Sequence, residues 1–438
     1  MDTISLCMIV KNEAHCLAAC LESVRSIVDE IIIADTGSED QTVAIAESFG
    51  AHVFHFAWCD DFAAARNATI ARATKDWIFI LDADEVIALS DLQALRERTN
   101  HRAVCTEFMQ RHYTNDVRLS DFTPCRGSFP ELERHYAGYF ESNCVRLFPN
   151  HEGLIYHNRI HELVEPSIYA LKKHTIERTT IRIHHYGHTP EVQALKKKHL
   201  LYSPLGVKKA EEDPTDWKAF YELGIERNVH AITAAEREAS VIAFKQSLAL
   251  YAEYVPTWVN MGYVLMELGR FQESLDAFKE ALKREPNNPD AYCNIGVIGL
   301  RTGDMKLAER ATLSAIQRNP SYVNALRNLV KIYCHTGRLA EAALVSTYIL
   351  SMMPHLPQAL TDLGMVYLQG KEFVSAEKYL QKSVSLDPSN TETLFHLGQL
   401  FWVQAQYDSA RQYLTRLYQV APQFVLPPAM QEFMSKSS

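Results

Sequence analysis

Two hydrophobic rhythms divide this chain. Across the first 200 residues, short apolar runs alternate with segments whose apolar positions recur every three or four residues. The runs predict strands at Ile4–Val10, Ile31–Ala34, Val53–Phe56, Trp77–Leu81, Val104–Phe108, Cys144–Phe148 and Ile181–His184. The helical periods predict helices at Ala14–Ser26, Thr42–Phe49 and Phe62–Thr74. Such alternation implies an α/β domain on a mostly parallel sheet. Between Ser90 and Tyr139 the pattern is broken by Pro124, Gly127 and Pro130, which predicts an excursion over the site.

From about Trp258 the rhythm changes to a repeat. Pro286, Pro320, Pro354, Pro388 and Pro422 are 34 residues apart. In the same register Gly262, Gly296, Val330, Gly364 and Gly398 occupy one position, and Ser274, Ala308, Ala342, Ala376 and Ala410 another. This is the tetratricopeptide period, and it predicts antiparallel helix pairs whose small residues allow close packing. A degenerate first unit is expected over Trp217–Tyr254, its spacing broken around Ile232–Glu238. The chain therefore reads as α/β plus all-α: residues 1–200, a helical connector at 201–216 that continues from the basic segment Lys196–Lys198, and a solenoid at 217–438.

Composition narrows the class without naming a chemistry. The 438 residues are 47% hydrophobic, enough for more than one core, and the net charge of −9 has no long single-sign block. Nucleic acid and anionic membrane are therefore not expected as partners. Nine scattered cysteines without a Cys-x-x-Cys pair suit a reduced cytoplasm. The opening residues lack the pattern of a secretion signal, and no run is apolar enough to span a membrane.

Chemistry concentrates at the ends of the expected parallel strands. Asp82-Ala83-Asp84-Glu85 closes the run Trp77–Leu81. Carboxylates at i and i+2 of an extended segment point to one side and suit a hard divalent cation. The plainer alternative is that Asp84 or Glu85 starts a helix. Lys11-Asn12-Glu13 follows the first strand, where it can meet a base or ribose or simply cap a helix. Asp35 opens the polar loop Asp35–Thr42, within which Asp40 reads as a cap for Thr42. Arg66 offers a planar fork for phosphate, with a surface salt bridge to Asp60 or Asp61 as its competing role.

Together Ser5–Glu13, Ala34–Ser38, Phe62–Asn67 and Leu81–Glu85 resemble the motifs of glycosyltransferase family 2, in family order. The resemblance covers about residues 1–190. It implies a GT-A fold, a nucleotide-diphosphate sugar donor, expected to be a UDP-sugar, Mn²⁺ or Mg²⁺ as cofactor, and inversion at the anomeric carbon. By position, Asp35 would contact the base, Asn12 and Glu13 would lie beside the nucleoside, Arg66 would line the nucleotide pocket, and Asp82 with Asp84 would hold the metal-diphosphate. Segments Arg159–Glu162 and His184–His188 resemble parts of repeat-bearing members. Glu162 is the expected base, with His161 second; His161 or His185 is available to complete the metal shell.

The repeats carry their own expectations. Asn260, Asn294, Asn328 and Asp362 share one position and would form a ladder facing a groove, similar to the asparagine ladder of protein O-linked N-acetylglucosamine transferases. Arg327, Lys331 and His335 form a basic stripe that would accept an acidic segment, or else a solvated face. Bacteriocin S-glycosyltransferases have a similar layout, which implies a peptide or protein acceptor at Cys, Ser or Thr. A saccharide acceptor, a homodimer and a non-catalytic nucleotide-sugar-binding scaffold are the other readings.

Overall fold

The computed structural model describes residues 2–117, 119, 121–187, 198–229 and 231–435. His188, Lys196 and Lys197 lie outside the described residues. The chain forms two compact units, one of Met1–Asp116 with Asp121–Val264, the other of Val117–Ser120 with Leu265–Ser438.

The first unit is built on a nine-stranded sheet: β1 (Ile4–Val10), β2 (Glu30–Asp35), β3 (His52–His55), β4 (Trp77–Ile80), β5 (Glu85–Ile87), β6 (Val104–Thr114), β7 (Thr123–Pro124), β8 (Gly138–Pro149) and β9 (Thr175–His185). The spatial order is β3-β2-β1-β4-β8-β6-β9-β5, with β7 against β8. Helices α1 (Leu17–Val24), α2 (Thr42–Ser48) and α3 (Phe62–Ile70) connect the first four strands. Parallel pairing sets Val10 opposite Asp35 and Cys7 opposite Ile80, so β1, β2 and β4 end along one edge. Strand β4 is wholly buried because both sheet faces are covered.

The sheet is mixed rather than mostly parallel: β1–β2, β1–β4, β2–β3 and β6–β9 pair parallel, whereas β4–β8, β5–β9, β6–β8 and β7–β8 pair antiparallel. The cause lies in the excursion. It leaves as β6 and returns directly as β8, and an antiparallel return needs no crossover helix. Strand β6 runs six residues past its predicted end at Phe108, to Thr114, because Gln110, Arg111 and His112 are buried with polar partners. Alternating hydrophobicity cannot report that kind of strand.

Beyond the sheet, helices Trp217–Val229 and Ala234–Leu250 occupy the degenerate repeat. Thr233 and Glu236 form a capping box that starts the second of them. The 34-residue pattern becomes helix pairs 255–267/271–284, 289–302/305–318, 323–335/339–352, 357–369/373–386 and 391–403/407–420, followed by 428–435. Each periodic proline stands two residues past a second helix, as a residue without a backbone N–H should.

The glycine position explains the packing. A Cβ on Gly364 would come within 2.6 Å of Leu380, and one on Gly398 within 2.5 Å of Leu414. Where Val330 replaces glycine, the residue in register with Leu380 is Ser346, and both are buried. A larger residue on one helix is thus matched by a smaller one on its neighbour.

A candidate active site at the carboxyl edge of the sheet

Asp82 leaves the end of β4 with each carboxylate oxygen facing a different arginine. Oδ1 accepts from Arg66 Nη2 at 2.8 Å, and Oδ2 from Arg146 Nη2 at 3.1 Å. Arg66 rises from α3, whose amino terminus is capped by Asp61 accepting from Ala64 N at 2.9 Å. Arg66 Nε also donates to Glu162 Oε1 at 2.7 Å, and the guanidinium lies 5.5 Å from the Tyr156 ring centroid. The surface salt bridge weighed for Arg66 is therefore not formed: Arg66 is buried, Asp61 caps α3, and Asp60 pairs with Lys208 at 2.6 Å. Arg66 Nη1 is buried and meets no acceptor among the described residues.

Burial alone would raise the Asp82 carboxyl, but Arg66 and Arg146 outweigh it and hold that carboxyl below the ordinary range. Glu85 is the opposite case. It is fully buried, its Oε2 accepts from Asp82 N at 2.7 Å, its Oε1 accepts from Arg146 at 3.0 Å and from Gln110, and desolvation pushes its carboxyl up. Glu85 starts strand β5 and not a helix, so helix capping does not account for the acidic run.

Asp84 and His185 come together from different strands. Pairing of β5 with β9 sets Glu85 opposite His185, and the buried Asp84 Oδ1 lies 3.5 Å from His185 Nε2. Gly187 leaves the adjoining space open: a Cβ there would stand 2.5 Å from Asp84 Oδ2 and 2.6 Å from His185 Nε2. Oxygen and imidazole donors flanking a gap that one methyl would fill suit a divalent ion.

The nucleoside candidates form a locked corner at the ends of β1 and β2. Asp35 is buried and accepts from Gly37 N at 3.2 Å and Ser38 N at 3.1 Å, in a turn where Gly37 has φ of 104°. Asn12, at φ 55°, does not cap a helix; its Oδ1 accepts from Glu39 N at 2.8 Å, and its N donates to Ser38 Oγ at 2.9 Å. Glu13 N donates to Thr42 Oγ1 at 2.7 Å. Asp40 accepts from Thr42 N at 2.9 Å, but the N-cap position of α2 is Gln41 and has no side-chain cap, so Asp40 braces the turn before the helix and does not cap it. Glu13, His15 and Cys16 bring three donor atoms within 4.8 Å of one another, on neighbouring residues at the same edge.

His161 lies on an exposed loop with φ of 54°, an uncommon backbone for a residue with a side chain. Glu162 turns inward to Arg66. Arg146, Gln110 and His112 were missed in the sequence reading, and Gly187 entered it only as part of the segment His184–His188. For Arg146 there was a signal, a lone charge inside the apolar run Cys144–Phe148; the others sit where the pattern is polar and uninformative.

Residues 5–148 match the family model of glycosyl transferase family 2, and residues 259–322 and 361–424 match that of the tetratricopeptide repeat. The chain joins a family 2 glycosyltransferase domain to tetratricopeptide repeats. It is 39% identical over 194 residues to a TPR repeat-containing protein of Synechococcus elongatus, covering 43% of each chain. It is 26% identical over 254 residues to the prophage-derived glycosyltransferase SunS of Bacillus subtilis, covering 58% of this chain and 54% of SunS. The chain spans about half the length of these curated relatives. A solved tetratricopeptide repeat protein from Parabacteroides merdae aligns with a TM-score of 0.47 at 13% identity, over 56% of this chain and 93% of that one.

The ladder expected in the repeats is largely spent on internal contacts. Asn260 Nδ2 donates to Pro256 O at 2.9 Å, and the buried Asn328 donates to Cys293 Sγ at 3.5 Å. Asp362 is buried and takes Arg327 in two bonds of 2.6 and 3.1 Å. Arg327 and Lys331 also reach Glu392, at 2.9 and 3.1 Å. Two of the three cations in the expected basic stripe are thus neutralised by carboxylates from later repeats, leaving His335 exposed. Among the described residues, no helix is long and apolar enough to cross a membrane.

Proposed function

We propose that this glycosyltransferase moves a sugar from a nucleotide-diphosphate donor, a UDP-sugar by the family resemblance, to a peptide or protein acceptor recruited in part by its repeats, with inversion. The observation that carries this is Arg66: buried, fixed between Asp82 and Glu162, and holding a terminal nitrogen, Nη1, whose N–H donors meet no acceptor among the described residues. A buried donor without an acceptor costs about 1–3 kcal/mol, and a diphosphate oxygen would relieve that cost.

In this reading Asp35, Asn12 and Glu13 seat the nucleoside at the corner they already brace. Asp82, Asp84 and His185 hold Mn²⁺ or Mg²⁺, which when bound offsets charge on the diphosphate leaving group. Arg66 supplies a fixed positive partner to that charge without reorganising. The acceptor heteroatom forms its bond to the anomeric carbon on the face opposite the diphosphate, and the breaking carbon–oxygen bond leaves its electron pair with the diphosphate. Glu162, oriented by Arg66, takes the acceptor proton, with His161 as the other proton acceptor within reach in sequence.

The test is donor turnover by full-length protein with Mn²⁺ or Mg²⁺ and an acceptor extract, comparing wild type with Asp82→Ala and Asp84→Ala. At least about a hundredfold loss is expected in each variant. Equal product from all three proteins rejects the metal mechanism. Tight donor binding with no turnover by wild type across acceptors supports the non-catalytic scaffold instead.

A further inference from the structure

Strand register brings two histidines edge to edge beside the proposed metal site. His112 of β6 pairs with His185 of β9 on one side and with Phe140 of β8 on the other. Its ring stacks on Phe140 with centroids 4.6 Å apart and planes 12° from parallel. The two Nδ1 atoms, of His112 and His185, are 2.8 Å apart, and His112 Nε2 is 2.7 Å from Ser142 Oγ. Both rings are buried, while Ser142 is exposed. A hydrogen-bonded line therefore runs from the surface through Ser142 and His112 to His185, whose Nε2 lies 3.5 Å from Asp84 Oδ1.

An Nδ1···Nδ1 bond between neutral imidazoles needs one proton, and whichever ring gives it decides the far nitrogen of both. If Ser142 donates to His112, then His112 donates to His185, and His185 carries its proton on Nε2, toward Asp84. If His112 donates to Ser142, then His185 donates to His112, and His185 Nε2 presents a lone pair beside Asp84. Both lines satisfy both nitrogens of His112 and Nδ1 of His185, both rings stay neutral, and only the second turns a lone pair of His185 Nε2 toward the gap beside Asp84, where a cation would accept it. In passing from the first to the second, the proton on Nε2 leaves to solvent, one proton shifts along each link, and Ser142 regains one from solvent. A hydroxyl suits that end because it both donates and accepts.

We infer that Ser142 and His112 are positioning residues that set the proton-bearing nitrogen of His185, so that Nε2 of His185 serves as a cation ligand together with Asp84. This rests on the metal-dependent reading above. It assigns roles to two residues from the irregular excursion, and explains why buried polar side chains extend β6 past Phe108. Outer hydrogen-bond partners of ligating histidines typically contribute 10–100-fold to metal affinity.

The experiment is Mn²⁺ titration of the full-length protein, with and without UDP, read by the electron paramagnetic resonance of free Mn²⁺ and by nitrogen modulation of the spin echo. His112→Phe keeps an aromatic ring against Phe140 but removes both nitrogens. It is expected to weaken Mn²⁺ binding about 10–100-fold and to lose the signature of directly bound imidazole, with an unchanged melting transition. His112→Asn, which restores an acceptor near the Nδ1 position, is expected to recover most of the affinity. Nitrogen-coordinated Mn²⁺ bound equally by wild type and His112→Phe rejects the relay alone. Absence of Mn²⁺ binding in wild type rejects the relay and the metal-dependent reading together. Should His112→Phe lack the melting transition, Ser142→Ala carries the test: affinity lower by about tenfold or more supports the relay, and unchanged affinity overturns it.

Discussion

Arg66 shows how much one side chain can organise. Its guanidinium joins residues 82 and 162, far apart in sequence, within a site whose floor is the Tyr156 ring. Because Arg66 is buried, removing the cation leaves Glu162 without its ion-pair partner and Asp82 with Arg146 alone, and Arg66→Met should destabilise the protein by about 3–5 kcal/mol in urea unfolding. The neighbouring Asp82 adds a pH dependence of defined sign. Its folded carboxyl is held low, so its stabilisation is present above the ordinary carboxylate range and is lost as pH falls through the folded value. For the proposed base, Glu162→Gln should retain donor binding and reduce transfer at least about a hundredfold. Near-normal transfer in that variant would remove Glu162 from the role.

Packing between helices is where single elements can be tested. Ser346 lies in register with Leu380 and Leu414, and Val330 with Gly364 and Gly398, so this repeat has exchanged its large and small members. Ser346→Leu should cost about 1–3 kcal/mol by overpacking, and Val330→Gly added to it should restore much of that loss in a double-mutant cycle. Helix Trp217–Val229 carries a different liability. Burial pushes the Glu226 carboxyl up to about 7, and its Oε1 meets no partner among the described residues. The sign follows from linkage: the unfolded chain ionises first, so stability falls as pH rises from about 4.3 and levels off once the folded carboxyl has ionised near 7. Glu226→Gln should therefore stabilise the protein at pH 8 by on the order of 1–2 kcal/mol, less than the full shift implies because the residue is only partly buried, and leave it nearly unchanged at pH 4. Thermal melts at the two pH values check this.

For the whole molecule, the two compact units invite a division of labour. Ending the chain after Tyr254 should abolish transfer to protein acceptors while sparing slow donor hydrolysis, as measured by release of the nucleoside diphosphate. Unchanged protein transfer would place acceptor recruitment in the first unit. Since Arg327, Lys331, Asp362 and Glu392 are committed to one another, the basic stripe is a weaker lure for an acidic segment than the bare spacing suggests. Mass spectrometry of cellular proteins with and without this chain would test the proposed transfer, reading both an added sugar mass and the acceptor residue.

Local periodicity was legible wherever one physical cause dominated. Strands β1 to β4 announced themselves as apolar runs, and the solenoid as a period of 34 residues set by helix length and turn. The acidic run at Asp82 and the arginine at residue 66 were also visible, because charge next to a buried strand is rarely accidental. What no spacing reported was pairing across distance. The antiparallel return of β8, the seating of Arg146 and Glu85 around Asp82, and the contact of His112 with His185 depend on which strands lie side by side. Hydrophobic burial is read residue by residue along the chain, whereas a buried charge is tolerated only through partners that the tertiary structure brings to it.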